Sequence, residues 1–168
     1  MQTRTKLALG LGVVVLLLIG VRVFLSLATP KEIEPRTRIL QMLAEGEQAF
    51  ENEDIDGMLQ FLADEFSWSG MDKQRLRNQL LLFFRNAQNP RAELGEPQME
   101  IFAGRILVRT PVRIQWRDPN NPSGVNSRDF GVVEFEFRKF PQRKWLIIRY
   151  DDWRLIRMEA TQMGEIPL

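Results

Sequence analysis

The sequence predicts an α+β domain preceded by one transmembrane helix. Three helices should pack on a strongly curved antiparallel sheet of about four to five strands, giving a cone-shaped roll. Apolar residues recur at helical spacing as far as Ala87. After Asn89-Pro90 the period changes to two. The helical and strand patterns are segregated along the chain rather than interleaved, which favours helices on one side of an antiparallel sheet.

The first element is an apolar run over residues 7–28, broken only by Arg22 and preceded by the basic start Met-Gln-Thr-Arg-Thr-Lys. About 20 apolar residues span a hydrocarbon core of roughly 30 Å. As a signal anchor the run stays in the membrane, and Arg22 snorkels toward the headgroups. As a cleavable signal, its uncharged core ends at Val21 and Ser26-Leu27-Ala28 supplies small residues for cleavage. The apolar residues beyond Arg22 favour the anchor. The short tail with Arg4 and Lys6 favours a cytoplasmic N-terminus, with the C-terminal domain extracytoplasmic or, after cleavage, secreted.

Residues 29–35 form a proline-punctuated linker. Helix one should start near Pro35, with Ile39, Leu43 and Phe50 on its stripe. Glu51-Asn52-Glu53-Asp54 is a polar break, and helix two carries Ile55, Met58, Leu59 and Leu62. Phe66-Ser67-Trp68 reads as a short strand before a turn at Gly70. Asp72 suits the N-cap of helix three, whose stripe is Leu76, Leu80, Phe83, Phe84 and Ala87. Met99 and Ile101 begin the alternation, and Gly104 marks a turn. A long strand follows, with Ile106 through Trp116 on one face and Arg109, Arg113 and Arg117 on the other. Residues 118–124 read as a loop, Val133 through Phe137 as a strand broken by Pro141, and Lys144 through Leu155 as the last strand. The roll thus occupies 36–156 and a loose tail 157–168.

Composition narrows the function. Arg4, Lys6 and Arg22 lie at or before the end of the apolar run, leaving 20 basic against 22 acidic residues, a net of −2. Such a domain has no electrostatic footprint for nucleic acid. The chain has no cysteine and no histidine, which removes disulfides, thiolate and histidine-based nucleophile pairs and nearly all zinc sites. No cofactor and no metal are expected.

The order of elements, with the wording Glu53-Asp54-Ile55-Asp56-Gly57-Met58-Leu59-Gln60-Phe61-Leu62-Ala63-Asp64-Glu65-Phe66-Ser67-Trp68, resembles the nuclear transport factor 2-like superfamily, which includes ketosteroid isomerase and polyketide cyclases. The Lys144-Trp145-Leu146-Ile147-Ile148 strand looks like the closing strand of that family. The resemblance implies a roll with a cavity between helices and sheet, often dimeric. Isomerases of this family use a carboxylate in the short strand after the second helix, where this chain has Trp68-Ser69-Gly70-Met71. Its dehydratases rely on histidine, absent here. The known chemistries are therefore not expected.

Strand alternation points Trp116 into the cavity, and Trp68, Phe84 and Tyr150 are candidates to line it too, with simple aromatic core filling as the alternative. Asp152 shares the parity of Tyr150, and the two are the one acid-base pair available to an isomerase- or cyclase-like enzyme, unless Asp152 is merely ion-paired. Arg109 and its neighbours suit a cross-strand ladder with Glu134 and Glu136. Trp145, Ile147 and Trp153 share the opposite parity and would form an apolar patch on the convex face, for a homodimer or a protein partner. The expected function is a membrane-anchored module that binds a protein or a ligand without catalysis. The layout is similar to the inner-membrane bridging subunit of type IV secretion systems.

Overall fold

A computed structural model of the chain describes residues 33–144 and 148–160. The expected membrane segment at 7–28, most of the linker, Trp145, Ile147 and residues 161–168 lie outside the described residues. Among the described residues no helix is long and apolar enough to cross a membrane. The chain divides into two compact units, residues 1–32 with 141–152, and residues 33–140 with 153–168. The described part of the first is a length of two strands. The described helices and the hydrophobic core they cover belong to the second.

Helix α1 (Pro35–Glu51) starts on its proline, whose fixed φ suits a first turn, and buries Ile39, Met42, Ala49 and Phe50. Its end is a Schellman turn. Glu53 sits at φ 57°, the Glu53 N–H donates to the Phe50 carbonyl at 3.1 Å, and the Asp54 N–H donates to the Ala49 carbonyl at 2.8 Å. Helix α2 (Ile55–Leu59) is capped by Asp54, whose side chain accepts from the Gly57 N–H at 2.9 Å. It stops sooner than its apolar spacing suggests. Leu62, expected on this helix, instead opens strand β1 (Leu62–Trp68). Helix α3 (Lys73–Asn86) has the expected Asp72 cap, which accepts from the Arg75 N–H at 2.8 Å, and it buries Leu76, Leu80 and Phe83.

Five further strands follow: β2 (Gln88–Leu94), β3 (Gln98–Phe102), β4 (Arg105–Asp118), β5 (Asn121–Lys144) and β6 (Ile148–Ala160). The six form one curled sheet in the order β1-β6-β5-β4-β2, with β3 also paired to β4. It is not wholly antiparallel as expected, because β1 runs parallel to β6. Strand β2 escapes the alternation rule, since Pro90 and a register shift between Gln88 and Arg91 interrupt it. An edge position tolerates both. The expected loop at 118–124 narrows to a turn at Pro119-Asn120, where the Asp118 side chain accepts from the Asn120 N–H at 2.8 Å and pairing resumes at Asn121. Pro141 does not end β5. It lies beyond the last residue paired with β4, Arg138, so its missing N–H costs no bond in that ladder.

Ile106, Val108, Thr110 and Val133 are essentially inaccessible and anchor the core beneath the helices. Thr110 donates from its hydroxyl to the Gly95 carbonyl at 2.7 Å, so its buried polar atom is satisfied. The Gly95 N–H donates to the Pro111 carbonyl at 2.8 Å, which seats the β2–β3 connection against β4.

Candidate functional site

A cavity of about 240 Å³ lies within the second unit, between α1, α3 and the inner face of the sheet. Its walls are almost wholly apolar. Helix α1 contributes Met42, Leu43 and Phe50, α3 contributes Leu76, Leu80 and Phe83, and the strands contribute Phe66, Trp68, Val112, Ile114, Phe130 and Phe135. The local reason for the void is Gly46. The stripe that begins at Ile39 and Leu43 would place its next side chains at 46 and 47, and there the chain has glycine and glutamate. A Cβ added at Gly46 would meet nothing within 4 Å.

Glu47 is the one titratable residue among the described residues lining the cavity, and Gln79 is its other polar side chain. Burial raises the Glu47 pKa above the ordinary carboxylate value, and the negative charge of Glu51, one turn on, raises it further. The Leu94 backbone beside it acts in the opposite sense, while Glu93 adds a further upward push. Among the described residues no arginine or lysine is among the groups that shift it. Sequence reasoning missed both Gly46 and Glu47. The signal was the interruption of an otherwise regular apolar stripe.

The candidate residues fall into different places. Trp68 lines the cavity and meets Phe130 edge-on, with ring centroids 6.3 Å apart. Phe84 and Trp116 pack instead into a small aromatic cluster with Phe50 and Phe83. Phe84 lies 5.4 Å from Phe50, and Trp116 lies 5.4 Å from Phe83. Trp116 also borders a separate surface recess beside Asn89 and Arg91. Asp152 is half-buried, and the side chain of Tyr150 lies outside the described residues.

Trp153 requires a correction. It is 6% exposed and belongs to the main core, so it is not part of an exposed convex patch. It shares with Leu155 the face that meets the helices, and the register shift in the β1–β6 pair lets Met158 and Ala160 face the cavity as well. Trp145 and Ile147, the other members of that patch, lie outside the described residues.

The opposite face of the sheet is ionic. Arg109 donates to Glu134 at 2.7 Å and to Glu100 at 2.6 Å, and Arg113 donates to Asp129 at 3.1 Å. Asp129 is held below the usual carboxylate range, first by the Gly131 N–H and then by Arg113. Glu136 is 4% exposed and is surrounded by Arg157 at 3.1 Å, Arg138 at 3.2 Å and Arg105 at 3.3 Å. These arginines satisfy a carboxylate that would be costly to bury alone. Among the described residues no cluster of side chains has a metal-ligand arrangement.

No protein-family model matches the chain, and no curated protein does. Solved structures do. A nuclear transport factor 2-like superfamily protein from Salmonella enterica superposes with a TM-score of 0.61 at 11% identity, covering 78% of this chain and 96% of that one. A Nostoc punctiforme protein of unknown function with a cystatin-like fold gives 0.54 at 15%, covering 77% and 93%. Bd1075 of Bdellovibrio bacteriovorus gives 0.58 at 17%, covering 76% of this chain, which spans only 41% of that protein. Helices packed over a curled six-stranded sheet, superposing along most of their length on such proteins, give this chain the nuclear transport factor 2-like fold.

Proposed function

We propose that this protein is a membrane-tethered member of the nuclear transport factor 2-like superfamily that binds a small apolar molecule and performs no catalysis. The cavity carries the reading. A cavity of 240 Å³ lined by leucine, methionine and phenylalanine side chains keeps apolar wall in contact with water. An apolar ligand would cover that wall. The volume lies just below the range of about 300–1,000 Å³ typical of drug-sized ligands and suits a molecule of one or two rings. Among the described residues the wall carries one carboxylate and the amide of Gln79, which can orient such a guest but supply no second titratable group for acid-base chemistry. Residues 7–28 support the tether, with the binding domain on the extracytoplasmic side.

Calorimetric titration with 1-methylnaphthalene tests the binding. The wild-type protein should take up one equivalent saturably, and Gly46→Met, which drives a side chain into the void, should lose it. No uptake by the wild type, or equal uptake by Gly46→Met, overturns the reading. For the tether, the full chain should remain with membranes through an alkaline carbonate wash, and deletion of residues 7–28 should release it. A full chain washed free with its N-terminus intact contradicts the tether.

A further inference from the structure

We propose that the cavity selects an apolar molecule bearing a protonated amine, with the ammonium group placed on Glu47. This rests on the cavity being a binding site and specifies what it admits. The walls offer a hydrophobic guest apolar contact from α1, α3 and the sheet, and among the described residues they offer one charge, that of Glu47.

The charge environment of Glu47 favours a cation over other partners. Its α1 neighbour Glu51 is acidic, and so is Glu93 on β2, the strand that packs against α1. Arg113 lies across from Glu93 in the β2–β4 ladder, yet it is bonded to Asp129 on the ionic side of the sheet. Glu47 shares the cavity lining with Leu94, and its carboxylate has lone pairs to offer a guest. An ammonium group there would accept no bonds, donate up to three, and relieve the repulsion among the acidic groups. A carboxylate guest would add to that repulsion. A hydroxyl guest would gain one neutral-donor bond and no charge attraction.

The partly buried setting gives the charge-assisted contact more weight than an exposed ion pair. Four probes of one shape separate the contributions: 1-naphthylmethylamine, 1-naphthalenemethanol, 1-methylnaphthalene and 1-naphthoate, each titrated calorimetrically into the full chain at pH 7. The amine should bind about tenfold more tightly than 1-methylnaphthalene, equivalent to ~1.4 kcal/mol, and the naphthoate more weakly than either. In Glu47→Gln the advantage of the amine over 1-methylnaphthalene should shrink to within about twofold, and saturable binding of 1-methylnaphthalene to the variant shows that the cavity remains formed. An amine advantage that survives Glu47→Gln, or a naphthoate that binds as well as the amine, overturns the proposal. If 1-methylnaphthalene binds and is blocked by Gly46→Met while the amine gains nothing, this inference fails and the binding function stands. If no probe binds, the binding function itself fails.

Discussion

Glu47 of helix α1 and Leu94 of the edge strand β2 line the same cavity, where the Leu94 backbone favours the ionised carboxylate. Burial and Glu51 outweigh that influence, so folding raises the pKa of Glu47 above its ordinary value of 4.5. The folded chain therefore holds this proton more tightly than the unfolded chain does, and stability from this site falls as pH rises from 4.5 through the folded-state pKa. Glu47→Gln removes the titration. Its stability relative to wild type, measured by urea unfolding, should rise between pH 4.5 and pH 7. A constant or falling difference would refute the assignment.

Two helical glycines should respond in opposite directions to alanine. At Gly46 the new methyl enters open space in a helix interior, so Gly46→Ala should stabilise the protein by about 0.5–1 kcal/mol. At Gly57 it would collide with the Asp54 carboxylate that caps α2, so Gly57→Ala should cost about 1 kcal/mol. Chemical denaturation of the two variants checks both signs.

Glu136 is the hub of the ionic face. Glu136→Gln leaves Arg105, Arg138 and Arg157 crowded without their shared anion, and it should cost about 2 kcal/mol. Removal of one guanidinium, as in Arg105→Ala, leaves two and should cost less than about 1 kcal/mol, because that side chain is 45% exposed. The unequal losses distinguish a hub from independent pairs.

Glu53 holds a left-handed conformation at φ 57° where the Schellman turn favours glycine. Glu53→Gly should raise stability by about 0.5–1 kcal/mol despite the looser unfolded chain. A loss of stability would show that the glutamate side chain contributes something its backbone strain does not reveal.

Where one periodicity dominated, the sequence was a faithful guide. The start of α1 at Pro35, the Asp72 cap and the long alternation of β4 all follow from local rules. Strand β2 was hidden because its pairing depends on β4 rather than on any pattern of its own, and Pro90 argues against a strand. The parallel placement of β1 beside β6 is a tertiary fact with no local signature. Parity failed at Trp153 because it fixes which residues share a face but not which face meets the helices. The cavity was anticipated from the curvature of such sheets. Its polar residue was not, because Gly46 and Glu47 read as a lapse in a stripe rather than as an opening.

The most direct test of a ligand-binding cavity is methyl NMR of the protein titrated with 1-methylnaphthalene. Resonances of Met42, Met58, Leu80, Val133 and Met158, which line the void from both helices and sheet, should shift together and saturate at one equivalent. Shifts confined to the exposed methyls of Leu81, Ile101 and Val125, or none at all, would contradict it.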